Sequence, residues 1–153
     1  MEIRRARPED AAAIAEVHVR SWQTAYEHLF GAERLETLTV DRRLPMWHAI
    51  LGNADVIPLV AESGEDGVVG FTTVGSSRDA DADGELYAIY VDPKAWGSGA
   101  GASLMRAAVA ALRESGYGSA ILWVLEDNPR ARRARSARIS TSSSLRSRSS
   151  CTR

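Results

Sequence analysis

The stretch ELYAIYVDPKAWGSGAGAS, residues 85–103, contains the pattern from which both fold and function can be predicted. It combines an apolar strand, a proline exit, a glycine-rich turn and the beginning of a helix. Gly97, Gly99 and Gly101 leave backbone N–H groups of the turn uncovered by side chains. At a helix N-terminus such groups lie at the positive end of the helix dipole. The sequence therefore predicts a site for the phosphate of a cofactor.

Regular elements are predicted on both sides of this stretch. Downstream, Gly99–Ser115 has helical spacing and ends at Gly116, and Ser119–Leu125 is apolar at nearly every position, as in a strand buried on both faces. Upstream, two helical segments are predicted, the second broken near Thr39–Asp41 and at Pro45. The upstream elements are a strand at Glu2–Arg5, helices at Ala11–His28 and Ala32–Leu51, strands at Val56–Glu62 and Val68–Val74 joined by a hairpin turn, and a solvated loop at Ser76–Gly84. This order, β-α-α-β-β-β-α-β, predicts an α/β fold with a mixed sheet.

Length and composition indicate one globular domain. The chain has 153 residues, 44% of them hydrophobic, and a chain of this length buries roughly two thirds of its unfolded surface. No apolar run is as long as a membrane helix, and the N-terminus lacks an apolar signal segment, so we expect a cytoplasmic protein without a membrane partner. Cys151 is the only cysteine. Neither it nor His18, His28 and His48 has the spacing of a metal site, and these histidines are expected at the surface or in packing.

Residues 130–153 differ sharply from the rest of the chain. They contain eight arginines, eight serines and no carboxylate, whereas the preceding residues contain 11 basic and 20 acidic side chains, a net charge of −9. The change predicts a domain at residues 1–133 and a disordered Arg/Ser-rich tail at 134–153, with no further strand. The abruptness of the change suggests a shifted reading frame or a truncated gene product.

The central stretch, continued to ELYAIYVDPKAWGSGAGASLM and followed by ILWVLEDNPRARR, resembles the GNAT superfamily of acyl-CoA-dependent N-acyltransferases, over residues 2–133. The motif of that superfamily is Q/R-x-x-G-x-G/A after a central strand. Gly99 and Gly101 match its two glycines, whereas Trp96 replaces the usual Gln or Arg. The resemblance implies a mixed, mostly antiparallel sheet flanked by helices, with acetyl-CoA as cosubstrate. It also implies transfer of the acetyl group to a primary amine by direct attack.

The resemblance assigns parts of the donor site to individual residues. The backbone of Ile89 and Val91 would pair with the pantetheine arm, and a strand N–H near Ile89 or Tyr90 would polarise the thioester carbonyl. Asn128 would contact the pantetheine or adenosine part of coenzyme A. The residues that would hold the pyrophosphate are Trp96, Gly97, Ser98, Gly99, Ala100 and Gly101.

The same resemblance places the acceptor amine between the sheet and the N-terminal helices. Trp22, Tyr26 and Trp47 are the candidate wall residues. Aromatic residues on amphipathic helices also fill cores, and we expect at least one of the three to do so.

Direct attack requires a general base, because an ammonium group has no lone pair. Glu85 is the candidate, since strand periodicity places it on one face with Tyr87, Ile89 and Val91. Tyr87 is accordingly a further candidate for substrate binding. The alternative for Glu85 is a carboxylate at the end of a strand, facing water.

Two other functions are compatible with parts of the sequence. Gly97-x-Gly99-x-x-Ala102 satisfies a relaxed dinucleotide fingerprint with Glu126 downstream, but Asp92–Trp96 separate the strand from the first glycine. A CoA-binding or nucleic-acid-contacting module would use the arginine tail, which would attract phosphates in a salt-dependent way. The tail has no aromatic residue to stack on a base, so nucleic acid is the less favoured partner.

The tail also departs from the GNAT pattern. Past Asn128 the superfamily usually continues into a helix whose Tyr protonates the leaving thiolate, followed by two closing strands, but Arg135 occupies the expected position of that Tyr. Loss of the closing strands would expose an edge of the sheet. We therefore expect a protein that is marginally stable, self-associating (for example as a homodimer) or catalytically weak.

Overall fold

The chain folds around a six-stranded sheet with helices on both faces. The computed structural model describes residues 1–26, 39–78, 82–124 and 145–149, with only the backbone at 25–26, 123–124 and 145–149. The elements are β1 (Glu2–Arg5), α1 (Ala11–Tyr26), α2 (Val40–Leu51), β2 (Val56–Ser63), β3 (Gly67–Ser76), β4 (Gly84–Val91), α3 (Ala100–Glu114), β5 (Ala120–Val124) and β6 (Leu145–Ser149).

The sheet is mixed, as predicted. Strands β1 to β4 pair antiparallel in chain order, whereas β4 with β5 and β5 with β6 are parallel. Within the described residues only the β4-α3-β5 segment is a parallel β-α-β unit. The doubly wound sheet in which a dinucleotide fingerprint functions is therefore not formed there.

The tail contains a strand that was not predicted. β6 pairs with β5 along all five residues of each strand, so the prediction of no strand beyond the fifth is wrong. The hydrogen bonds of a strand ladder come from the backbone, and a segment rich in Ser and Arg can therefore extend an open sheet edge without an apolar pattern. The predictions for the rest of the tail and for the altered C-terminal helix lie outside the described residues.

The helices bury three apolar clusters against the two faces of the sheet, the third of which packs Ala100 and Leu104 of α3 on Ala61 and Val69. Helix α3 covers one face, and α1 with α2 covers the other, each through apolar residues at helical spacing. The α3 core comprises Val74, Leu86, Met105, Ala108, Leu112, Ala120 and Leu122. The α1–α2 core comprises Ala11, Ile14, Ala15, Val17, Trp47, Val60 and Phe71.

Helix α2 begins where the sequence indicates a break but continues past its proline. Thr39 caps it by accepting a hydrogen bond from the amide of Arg42, which satisfies one of the free N–H groups of the first turn. Pro45 lies inside the helix, so the predicted break there is wrong. Proline removes one bond near the helix start, and the burial of Trp47 in the core on the next turn holds the helix together.

Strand β4 changes its neighbours half-way along. The register with β3 slips by one residue at Tyr87, which forms a β-bulge, and the last pair with β5 is Leu86 with Leu122. Beyond this point residues 88–91 pair with β3 on one side, and no described strand pairs with them on the other. We call the place where β4 and β5 stop pairing, beyond Leu86 and Leu122, the splay.

Candidate active site

The edge of β4 that faces the splay carries backbone groups in a regular pattern. The amide of Asp92 donates to the carbonyl of Val69 at 2.8 Å, and backbone groups alternate in direction along a strand. The groups of Tyr90 therefore face β3, and those of Ile89 and Val91 face the splay. Of the two N–H groups considered for polarising a thioester, that of Tyr90 is excluded, because it belongs to the ladder with β3.

The turn after β4 adopts the backbone conformation that its glycines allow. Gly97 and Gly99 have φ angles of +83° and +89°, in the left-handed region that residues with a Cβ rarely adopt. Gly99 is the N-cap of α3. A Cβ at either position would meet no other atom within 4 Å, so the space in front of the turn is open.

The amides around this turn are available to a ligand. Ser98 occupies one of them, because its Oγ accepts from the amide of Ala100 at 3.3 Å. Several others donate to no group among the described residues, namely those of Gly97, Gly99, Gly101 and Ala102. Free N–H groups at a helix N-terminus are suited to phosphate oxygens. The residues present thus fit a diphosphate without any cationic side chain at the Gln/Arg position.

The side chain of Trp96 makes a hydrogen bond to the end of β4. Its Nε1 donates to the carbonyl of Val91 at 3.0 Å. The Oγ of Ser21, on α1, donates to the same carbonyl at 3.1 Å. The indole therefore fixes the geometry where the strand meets the turn, and its predicted contact with the pyrophosphate stays a prediction.

An ion pair anchors the turn to α1. Asp92 is 5% exposed, and its Oδ2 accepts from Nε and Nη2 of Arg20 at 2.9 and 2.7 Å. Its Oδ1 accepts from the amide of Lys94 at 3.1 Å. Because Asp92 directly follows the last residue of β4, this ion pair fixes α1 to the segment that leads from the strand into the glycine turn.

Glu85 is buried and ion-paired. Its side chain is 1% exposed, so the alternative of a carboxylate facing water is wrong. Oε1 accepts from Nη2 of Arg78 at 2.7 Å, and Oε2 accepts from the amide and Nε of the same residue at 3.0 and 3.3 Å. Arg78 is 73% exposed. It was expected to be a freely solvated loop residue, and it covers the carboxylate instead.

The face on which Glu85 lies differs from the predicted one. Leu86 packs in the α3 core, so Glu85, its neighbour in the strand, points to the opposite side. Ile89 and Val91 pack towards α3. The bulge at Tyr87 shifts the alternation by one residue, and for this reason the predicted common face is wrong. Glu85 instead faces the side on which α1 and α2 lie.

The aromatic residues of that side have different environments. Trp22 is half-buried, and its Nε1 donates to the hydroxyl of Tyr90 at 2.9 Å. Trp47 is 2% exposed and stacks edge-on against Phe71, with ring centroids 4.7 Å apart. Trp47 is therefore a core residue, as expected for at least one of the three, and its prediction as a wall residue is wrong. The side chain of Tyr26 lies outside the described residues.

His18 belongs to the same aromatic cluster and packs as predicted. Its Nδ1 accepts from Nε1 of Trp47 at 3.3 Å, and its ring lies 5.1 Å from that of Tyr90. Burial, with a smaller contribution from the charge of Arg43, lowers the pKa of His18 to about 4. At neutral pH the imidazole is therefore uncharged and carries its proton on Nε2, so it acts as a donor on its free side.

The profile of the acetyltransferase (GNAT) family matches residues 11–134. The chain belongs to the GNAT family. It is an acetyltransferase, and acetyl-CoA is its cosubstrate.

Individual relatives agree with this membership. An uncharacterized N-acetyltransferase of Bacillus subtilis (strain 168), YuaI, is 34% identical over 131 residues, covering 83% of this chain and 73% of the relative. The crystal structure of the PaiA N-acetyltransferase from Thermoplasma acidophilum in complex with coenzyme A has a TM-score of 0.66 at 23% identity, covering 83% and 80% of the two chains. A structure described as a possible acetyltransferase from Clostridium difficile 630 has a TM-score of 0.66 at 20% identity, covering 89% and 87%. At these identities the two structures show a common fold.

Some residues of the expected GNAT site lie outside the described part of the chain. They are Asn128, expected to contact coenzyme A, and Arg135, which stands where the family usually has its acidic Tyr. Among the described helices, none is both long enough and apolar enough to cross a membrane.

Two arginines of the site were not predicted from sequence. Arg20 and Arg78 bind buried carboxylates 72 and 7 residues away in the chain. No local sequence pattern predicts the ion pair of Arg20, because only the packing of α1 on the sheet brings Asp92 close to it. Arg78 has a weak local signal, since an arginine shortly before a strand that begins with a glutamate can fold back onto it.

Proposed function

We propose that this GNAT enzyme acetylates a primary amine by direct attack of the neutral amine on the thioester of acetyl-CoA. The observation that carries the proposal is the bare edge of β4, which begins two residues after the buried carboxylate of Glu85. The edge of β4 supplies backbone hydrogen-bond donors to acetyl-CoA, and the carboxylate of Glu85 can take the proton of an ammonium group. Their proximity supports a reaction at the apex of the splay.

The donor half rests on backbone groups. The free amides of the glycine turn would hold the diphosphate. The N–H and C=O of Ile89 and the N–H of Val91 would pair with the pantetheine arm as an added strand does, whereas the carbonyl of Val91 already accepts from Trp96 and Ser21. The N–H of Ile89 is then the group suited to polarising the thioester carbonyl, because it is fixed by the ladder with β3 on its other side.

The acceptor half rests on Glu85. An acceptor enters as an ammonium ion, gives one proton to the carboxylate, and attacks as the neutral amine. The thioester C–S bond breaks as the amide C–N bond forms, and the thiolate takes up a proton released by the nitrogen. The products are an N-acetyl amine and the free thiol of coenzyme A, with one proton released to solvent.

Three measurements test the proposal. Acetyl-CoA should raise the unfolding temperature saturably, whereas NAD should not, and thiol should be released on mixing with a panel of primary amines. Glu85→Gln should lower kcat by about 10²- to 10⁴-fold, the usual contribution of a general base, with little change in the KM for acetyl-CoA. Glu114→Gln, an exposed substitution at the end of α3, is the matched control and should behave as the parent. Unchanged turnover in Glu85→Gln would remove this residue from the mechanism.

A further inference from the structure

The carboxylate of Glu85 is already bound by a cation that belongs to the chain itself. Arg78 directs its amide, Nε and Nη2 at the two carboxylate oxygens. Its hydrogen bond to Glu85 raises the pKa of Arg78, so the guanidinium stays charged. The pair is asymmetric, because the carboxylate is 1% exposed while the arginine side chain is 73% exposed. The buried anion is fixed in the sheet, and the cation reaches it from the solvent side.

An aromatic ring completes the environment of the guanidinium. The Cζ atom of Arg78 lies 5.0 Å from the ring centroid of Tyr87, within the range of a cation–π contact. The hydroxyl of Tyr87 donates to the carbonyl of Ser76, which holds the ring across β3. A Cβ on Gly75 would lie 2.7 Å from that hydroxyl, so this glycine is what permits the ring to lie there.

These contacts describe a binding site for a small organic cation. A buried carboxylate and an aromatic face together bind alkylammonium or guanidinium groups. The site lies at the apex of the splay, because Glu85 precedes by one residue the last pair between β4 and β5. The geometry points to Arg78 as a stand-in for the acceptor: the ammonium group of a basic primary alkylamine displaces its guanidinium from Glu85 and Tyr87.

This inference rests on the proposed function and narrows it to a substrate class. Displacement exchanges one cation for another on the same carboxylate, so no charge is left unpaired in the buried site. An alkylammonium can then lose a proton to Glu85, which a guanidinium does not do. Arg78 thereby keeps the carboxylate paired and covered until an acceptor arrives, and an uncharged isostere of the amine has no means of displacing it.

The test compares Arg78→Gln with the parent in steady-state kinetics, with n-butylamine as acceptor and acetyl-CoA saturating. The KM for the amine should fall about fivefold when the competing cation is removed, the factor that a partly exposed ion pair supplies. The kcat should stay close to that of the parent. Arg106→Gln, at an exposed arginine of α3 whose Nη2 donates to the hydroxyl of Ser103, is the control and should change neither constant. An unchanged or raised KM in Arg78→Gln would overturn the assignment.

A binding measurement separates this inference from the proposed function. In thermal unfolding without acetyl-CoA, n-butylguanidinium should stabilise Arg78→Gln saturably and stabilise Arg78→Gln/Glu85→Gln not at all, while n-butanol stabilises neither. Equal effects on the two variants would reject the cation site even if amines are acetylated. Conversely, selective stabilisation without thiol release from any amine would keep the cation site and reject the proposed reaction. If Arg78→Gln does not fold, n-butylguanidinium should inhibit the parent competitively against the amine, and absence of competition would overturn the inference.

Discussion

Replacing Gly99 by alanine separates two roles of this residue: its left-handed backbone at the start of α3, and its proposed contact with the diphosphate of coenzyme A. The residue has a φ of +89° and open space around its missing Cβ, so the substitution introduces backbone strain without a clash. Left-handed backbone destabilises a residue with a Cβ by roughly 1–2 kcal/mol. Gly116, after the end of α3, has a φ of +87° and equally open surroundings. Gly116→Ala is therefore a control with the same strain, far from the glycine turn.

Both variants should lose stability to a similar extent, by about 2–8 °C in unfolding temperature for a chain of this size. Only Gly99→Ala should also lose coenzyme A, because a methyl group and a shifted amide would disturb the contacts to the diphosphate. A hydrogen bond to a charged group is worth about 1.5–3 kcal/mol, so the Kd should rise about 10- to 100-fold. Isothermal titration with coenzyme A measures this directly. Equal affinities of the two variants would refute the assignment of the turn to the diphosphate.

Three further substitutions test neighbouring contacts. Trp96→Phe should destabilise the fold by only about 0.5–1.5 kcal/mol in urea unfolding, because the carbonyl of Val91 keeps a second donor; a much larger loss would mean that the indole has another structural contact of greater weight. Arg20→Gln should lower stability by about 1–3 kcal/mol and raise the KM for acetyl-CoA, with partial rescue by Arg20→Lys, since Asp92 is left buried and unpaired; an unaltered KM would disconnect this ion pair from the turn. His18 has its pKa lowered from 6.5 to about 4, so as pH falls through this window the unfolded chain takes up a proton that the folded chain does not. Stability should therefore fall by on the order of 3 kcal/mol between pH 6.5 and 4; His18→Phe should flatten this slope, and identical slopes in both proteins would contradict the assignment.

Local patterns were sufficient to predict the framework of the fold. The apolar run of β4, the glycines after it and Gly116 after α3 each act through their own backbone or immediate neighbours. For the same reason the helix and strand order was predictable, and the family motif could be placed on a strand, a turn and a helix N-terminus. The glycine turn and the start of α3 lie where the motif predicts them, because both depend on the local backbone.

The wrong predictions concern features that depend on tertiary structure, namely the face of a strand, the burial of an aromatic residue and the pairing of a strand edge. The bulge at Tyr87 inverts the face of Glu85 relative to Ile89, and no residue type at that position marks a bulge in advance. Trp47 could equally well have lined a pocket, and only its packing on Phe71 places it in the core. Strand β6 has no apolar sequence pattern that could have predicted it, and it is recognised only by its pairing with β5.

Backbone amide resonances test the central claim most directly. In protein labelled with ¹⁵N-glycine, titration with acetyl-CoA should shift the amide signals of Gly97, Gly99 and Gly101 saturably and with one common Kd. The amide of Gly64, in the turn between β2 and β3, should not move. If the three signals stay in place at saturating acetyl-CoA, or move no more than that of Gly64, the glycine turn does not bind the acyl donor.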